Sequence, residues 1–289
     1  MNKNSIYGAI IGDIAGSYLE VLEINAKQQK QKVSYPQRVK ILNQQTPLFT
    51  KDCSITDDSV LTIAIADAII SNLSYESKLK EYGKKEISMG LDKYGRSRFG
   101  KCFCDWIYGN FNGDSYGNGC AMRISPVAYM YDSLETTLIE AERATVCSHN
   151  HPDSIKCARA TCAAIFLARH GASKNEIKQF VEKELDFKLD FDLEYLRNNY
   201  VFTSKAMGSV PQAIYCFLVS NSFEDTLRNT LSIGGDVDTT AAISCGIASA
   251  YYEIPQNILT EAKKFIPKEY DLVLQKFANK HLEKNNEPI

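Results

Sequence analysis

The chain of 289 residues is 44% hydrophobic and 24% charged, with a formal net charge of -2 and a pI near 6.1. These values describe an ordinary globular protein with enough apolar residues for a substantial core. They give no global positive charge to draw nucleic acid or an anionic membrane, and no apolar run reaches the length of a membrane span.

The first residues, Met1 to Tyr7, lack the charged stretch and long apolar run of a signal peptide. The nine cysteines, odd in number and without a CxxC pair, read as free thiols of a reducing compartment. The expected location is the cytoplasm. Gly8 to Glu20 (GAIIGDIAGSYLE) predicts an N-terminal helix whose small residues allow close packing. No strand precedes Gly12 and Gly16, so packing is a better reading of them than phosphate binding. Asp13 and Glu20 lie two helical turns apart, near one face, so a supporting and a catalytic carboxylate can share a direction. Asn25 to Lys51, polar and rich in Gln and Lys, is expected to be irregular.

Thr56-Asp57-Asp58-Ser59 stands immediately before an apolar helix predicted over Val60 to Ile70. Thr or Asp caps a helix by accepting its free N–H groups, and capping alone is the commoner explanation of such a motif. It does not explain two adjacent carboxylates at the mouth of a helix too apolar for the surface. The helix dipole offsets about 0.3 to 1 kcal/mol of such charge, whereas removing a carboxylate from water costs several kcal/mol. A bound cation resolves the conflict.

Gly83 to Asn118 is a second irregular stretch, and it leads into Tyr116-Gly117-Asn118-Gly119-Cys120-Ala121-Met122-Arg123, a glycine-rich turn before a helix. Free N–H groups at such a place bind phosphate, and a plain turn would look alike. Amphipathic helices are predicted over Leu134 to Val146, Lys174 to Leu185, Ser209 to Val219, Phe223 to Leu231 and Pro255 to Phe265, and a buried one over Ile155 to Arg169. Ser148-His149-Asn150-His151-Pro152-Asp153 contains an HxHxD pattern similar to that of binuclear zinc hydrolases such as metallo-β-lactamases. Ser154 stands where their next His belongs, and the preceding segment is amphipathic helix instead of strand, so a cap or substrate contact is the better reading.

Gly234-Gly235-Asp236-Val237-Asp238-Thr239 again precedes a buried helix, predicted over Thr239 to Tyr252. Asp236 and Asp238 can turn toward one point from an unwound first turn. Four carboxylates (Asp57, Asp58, Asp236, Asp238) and two hydroxyls (Thr56, Thr239) make an oxygen set suited to hard cations such as Mg²⁺ or Mn²⁺. The last residues, Lys280 to Ile289, are expected to fray, with His281 on the surface. With no run of strand period, repeat or linker, the chain is expected to be one all-α domain over residues 1–289.

In this order, the GDxxGSxxE at Gly12 to Glu20, TDDS at Thr56 to Ser59, GNGxAMR at Gly117 to Arg123 and GGDxDTxAAI at Gly234 to Ile243 resemble the ADP-ribosylglycohydrolase family. So do the SHNHP at Ser148 to Pro152 and the SVPQAI at Ser209 to Ile214. The resemblance implies an all-α hydrolase that holds two divalent cations at the base of a cleft and releases ADP-ribose from a protein side chain or a small conjugate. It implies metal ligation by Thr56, Asp57, Asp58, Asp236, Asp238 and Thr239, a catalytic or gating Glu20, and a phosphate loop of Gly117, Asn118 and Gly119. Tyr116 would contact adenine and His149 would line the cleft. Val237 departs from the Thr or Ser usual in the family. Charge does not point to nucleic acid, although an ADP-ribosylated nucleic acid stays open as a substrate. Two alternatives stand beside this reading: a non-catalytic ADP-ribose or nucleotide reader, and a hydrolase of a free ADP-ribose derivative.

Overall fold

The computed structural model describes residues 5–286, and every regular element in them is helical. In chain order the helices are α1 (Tyr7–Gln28), α2 (Tyr35–Val39), α3 (Asp57–Ser71), α4 (Tyr75–Ser88), α5 (Lys101–Ile107), α6 (Gly119–Met122), α7 (Ser125–Met130) and α8 (Leu134–Val146). They continue with α9 (Pro152–Arg169), α10 (Lys174–Glu184), α11 (Leu193–Asn199), α12 (Ala206–Val219), α13 (Phe223–Ile233), α14 (Val237–Tyr251), α15 (Gln256–Lys263) and α16 (Lys268–Asn286). The all-α expectation holds. No helix among the described residues is long and apolar enough to cross a membrane.

Side-chain caps set many of the boundaries. Ser74, Ser133, Ser173 and Ser222 each accept an N–H from the first turn of the helix that follows, at 3.0 to 3.3 Å. The helices apolar on more than one face are the buried ones. In α14 every residue from Val237 to Ser249 is buried, and in α3 every residue from Asp58 to Ala66. α14 runs through the middle, against α1, α9, α12 and α13.

Contact between α1 and α14 is made by backbone. Gly8, Gly12 and Gly16 form one stripe of α1 at helical spacing. A Cβ would fall 2.1 Å from Ser249 Oγ at position 8, 2.1 Å from the Ala241 carbonyl oxygen at position 12 and 2.5 Å from Asp238 Cα at position 16. The two helices are therefore antiparallel, and their register is fixed by what cannot be present. That register carries Asp13 and Glu20 to the first turn of α14.

Besides Gly83 to Asn118, which is not irregular throughout but holds the end of α4 and all of α5, three expectations need correction. α16 continues through Asn286, so residues 280–286 are helical; residues 287–289 lie outside the described residues. His281 is buried, edge-on to Tyr129 with ring centroids 6.1 Å apart, and does not sit at the surface. The cause is a stripe of Tyr270, Leu274, Phe277, Ala278 and His281 that packs inward, while Lys280 Nζ donates to the carbonyls of Ile69 and Ile70 at the end of α3. Third, the stretch Asn25 to Lys51 is only partly irregular. α1 runs on to Gln28, and Gln37 accepts from the Ser34 N–H and hydroxyl at 3.1 and 2.9 Å, which starts α2.

Gly12→Ala is expected to destabilise the protein by about 1 to 3 kcal/mol, because the added methyl meets a backbone carbonyl that cannot yield. Gly100→Ala, at φ -60° with nothing within 4 Å, is expected to be near neutral. Urea melts of the two variants test the packing argument; equal effects would refute it.

Candidate active site and metal centre

Two helix starts and one helix face converge on a cleft of about 930 Å³. All twelve residues singled out above as ligands, catalytic groups or substrate contacts line it: Glu20, Thr56, Asp57, Asp58, Tyr116, Gly117, Asn118, Gly119, His149, Asp236, Asp238 and Thr239.

At the start of α3, Thr56 caps the helix, with its hydroxyl accepting from the Asp58 N–H at 3.3 Å. The same hydroxyl donates to Asp13 Oδ1 at 2.7 Å, and the Thr56 and Ser59 N–H groups donate to Asp13 Oδ2 at 2.9 and 3.1 Å. The Ser59 hydroxyl also donates to Asp13. Asp13 is thus an anchor from α1 that holds the first turn of α3 in place and directs Asp57 and Asp58 into the cleft.

At the start of α14, Gly234 and Gly235 adopt φ +75° and +83°, a region that favours glycine. A side chain at Gly235 would also strike the Tyr200 ring, 2.3 Å away. Under this loop lies a buried ion pair in which Arg38 Nε and Nη2 donate to Glu23 Oε1 and Oε2 at 2.9 and 3.0 Å. Arg38 Nη1 further donates to the carbonyls of Arg197, Tyr200 and Ile233 at 3.1, 2.8 and 2.9 Å. Asp236 accepts from Asn118 Nδ2 at 2.7 Å, and Asp238 Oδ1 accepts the Thr239 N–H at 2.8 Å.

The carboxylates that result are close and dry. Oxygens of Asp13, Asp58 and Asp238 lie within 4.8 Å of one another, as do those of Glu20, Asp236 and Asp238, so Asp238 belongs to both groups. Asp57 is in neither, although it faces the same cleft. Burial, offset by the hydrogen bonds each receives, pushes Asp13 and Asp236 up to about 6. Glu20 is pushed up to about 7 by burial and by Asp236 against the opposing pull of Arg96, and Asp57 up to about 8 by burial and the charges of Glu20, Asp13 and Asp236. Asp58 and Asp238 stand well above the carboxylate range for the same two reasons.

Asp58 Oδ1 is buried with no hydrogen-bond partner. An orphaned carboxylate oxygen among like charges is what a divalent cation would satisfy, and the all-oxygen donor set is that of a hard cation. The residues present therefore fit a metal centre of the kind the sequence implied.

Arg96 is a cleft residue the sequence did not disclose. It comes from the irregular stretch after α4, pairs with Glu20 Oε2 at 3.1 Å and is braced by Asp92 at 2.9 Å. Beside the carboxylates the glycine loop is pinned by backbone: the Asn118 N–H donates to the Ser204 carbonyl at 2.8 Å and the Ala206 N–H to that of Tyr116 at 3.0 Å. His149 is buried against this loop, and burial with the nearby Arg123 guanidinium holds its pKa well below the ordinary value. His151 points elsewhere: half exposed, it caps α9 by accepting the Asp153 N–H at 3.2 Å. The two imidazoles of the HxHxD pattern do not share a site.

A family profile described as ADP-ribosylglycohydrolase matches residues 3–287. The human ADP-ribosylhydrolase ARH3 is 25% identical, over 88% of this chain and 86% of its own. The ADP-ribosylarginine hydrolase Tri1 of Pseudomonas putida is 21% identical, over 87% and 70%. The ADP-ribosyl-[dinitrogen reductase] glycohydrolase of Rhodospirillum rubrum is 28% identical over 53% of each. Among solved structures, an ADP-ribosylglycohydrolase-related protein complex superposes with a TM-score of 0.64 at 17% identity, covering 96% of this chain and 98% of that one, and so shares its fold.

Without cations, the raised carboxyl groups bind more protons folded than unfolded. The stability they contribute is full below the ordinary carboxylate values, about 4, and is lost as pH rises through the folded values, from about 6 for Asp13 to about 8 for Asp57. In chelator the melting temperature is therefore expected to fall from about pH 5.5 to about pH 8, and Mg²⁺ or Mn²⁺ to raise it most at the alkaline end. Thermal melts across that range decide the matter: a flat profile that cations do not move would rule out the metal centre.

Proposed function

The chain belongs to the ADP-ribosylglycohydrolase family of enzymes, which hydrolyse ADP-ribose linkages, and on that premise we propose a metal-dependent hydrolase. It cleaves the N- or O-glycosidic bond between ADP-ribose and a protein side chain or other acceptor. The observation that carries this reading is the pair of carboxylate groups sharing Asp238 at the floor of a cleft, beside a glycine loop and a neutral histidine.

Thr56, Asp57, Asp58, Asp236, Asp238 and Thr239 would hold two divalent cations, Mg²⁺ or Mn²⁺. Cations held there supply Lewis-acid charge that polarises ribose oxygens and makes water a better nucleophile. Asp13 keeps the first turn of α3 fixed, and the Asn118 amide orients Asp236. Glu20 is placed to move a proton as the glycosidic bond breaks. Arg96 holds one of its oxygens, and Glu20 lines the cleft beside Asp236 and Asp238. The pyrophosphate rests at the Gly117 to Gly119 loop, with Tyr116, half exposed at the rim, against the adenine.

The relatives named for ADP-ribosylarginine and for a modified reductase favour an ADP-ribosylated protein as partner over a nucleic acid, in line with the near-neutral charge. The free cysteines, six of them buried, favour a reducing compartment such as the cytoplasm. A panel of ADP-ribosylated arginine, serine, acidic and nucleic-acid substrates, assayed with Mg²⁺ or Mn²⁺ for released ADP-ribose, tests the reaction and identifies the acceptor. No release from any of them would sink the proposal.

Two variants separate proton transfer from ligation. Glu20→Gln is expected to keep both metals and ADP-ribose affinity while turnover falls about 10²- to 10⁴-fold, the usual cost of losing a positioned acid or base. Asp238→Asn removes the carboxylate common to both groups, so metal content, affinity and turnover should fall together. Metal analysis, calorimetry and a release assay read the outcome. Loss of a metal equivalent in Glu20→Gln would make Glu20 a ligand, and an unchanged rate would remove it from the mechanism.

A further inference from the structure

Arg123 plays no part in the reading above, yet its burial demands a reason. The side chain is fully buried; Nη2 donates to Ser148 Oγ at 2.6 Å and reaches the Ala144 carbonyl at 3.4 Å, while Nε and Nη1 have no hydrogen-bond partner. The ionisable groups that act on it are the thiols of Cys147 and Cys120, not a carboxylate. A cation left this incompletely paired in the interior costs several kcal/mol.

Its one short bond explains the neighbouring histidine. A guanidinium can only donate, so Ser148 Oγ accepts from Arg123. The same oxygen lies 2.8 Å from His149 Nδ1. If Nδ1 carried a hydrogen, the serine oxygen would receive two donors and its own proton would be left to the weakly accepting sulfur of Cys147. With Nδ1 bare, the three groups form one chain of donors, Arg123 to Ser148 to His149, each bond polarising the next. The imidazole hydrogen then sits on Nε2. That nitrogen lies against the glycine loop, 3.1 Å from where a Cβ of Gly119 would be and 3.6 Å from that of Gly117. Two N–H groups of the loop are already used, Gly117 on Ser115 Oγ and Asn118 on the Ser204 carbonyl. An anion there finds fewer backbone donors than the loop's three N–H groups suggest, and the histidine supplies a further one.

We propose that Arg123 and Ser148 are positioning residues that lock His149 in its Nε2–H tautomer, so that the ring donates to a phosphate oxygen of a nucleoside diphosphate held at the glycine loop. The part concerning the ligand rests on the function proposed above; the tautomer does not. ¹⁵N-labelled imidazole spectra of the wild-type protein, with His149 assigned through His149→Asn, are expected to show a neutral ring with a bare Nδ1 and a protonated Nε2. The opposite tautomer would overturn the proposal without any further variant. Ser148→Ala is expected to give a mixture of tautomers and to weaken ADP-ribose binding roughly tenfold, as for loss of one hydrogen bond to a charged group, and Ser148→Thr to restore both. An alanine variant with the wild-type tautomer and affinity would overturn it as well. A wild-type protein that shows the expected tautomer but binds no ADP-ribose would support the relay and count against the substrate reading.

Discussion

The close approach of α1 and α14 is the constraint on which the site depends. With Gly12 lying on a carbonyl of α14 and Gly16 on the backbone of Asp238, neither helix can slide or turn without collision. Asp13 and Glu20, on either side of that contact, are therefore delivered to the first turn of α14. Asp13 in turn fixes the start of α3 through Thr56 and Ser59. Three missing side chains thus place carboxylates from three segments at the floor of one cleft.

The same tight core that sets the geometry creates the electrostatic problem. Buried charge is handled here in two ways. Glu23 and Arg38 form a closed pair with every strong donor used, which holds the glycine loop and offers nothing to a ligand. The carboxylates of Asp58 and Asp238 are left without a matching cation from the protein, and burial together with the neighbouring carboxylates raises their pKa values.

Much of this was readable in the chain because the signals are local. Leu134 to Val146 was bounded correctly since Ser133 caps the helix and the apolar spacing ends with it. The TDDS and GGDVDT segments announced themselves by placing paired acids before helices too apolar for a surface. Arg96 was hidden because its meaning lies in a partner 76 residues away, and nothing around it has a period. Arg38 was hidden for the same reason. The end of α16 from Lys280 reads as a fraying tail because its lysines and asparagines mask the continuation of a narrow apolar stripe packed against α3. HxHxD misled in the other direction: two residues apart, His149 is buried against the glycine loop while His151 stays half exposed as the cap of the helix that follows.

Arg38 gives the polar stretch between α1 and α3 a second meaning. That segment supplies the guanidinium holding the loop before Asp236, and its carbonyls at Ile41, Asn43 and Thr46 are gripped by Arg228 from α13. The stretch, α13 and the loop before Asp236 are consequently tied into one hydrogen-bonded unit. A change in this stretch that displaces Arg38 is therefore felt at the loop before Asp236, although the two lie far apart in the sequence.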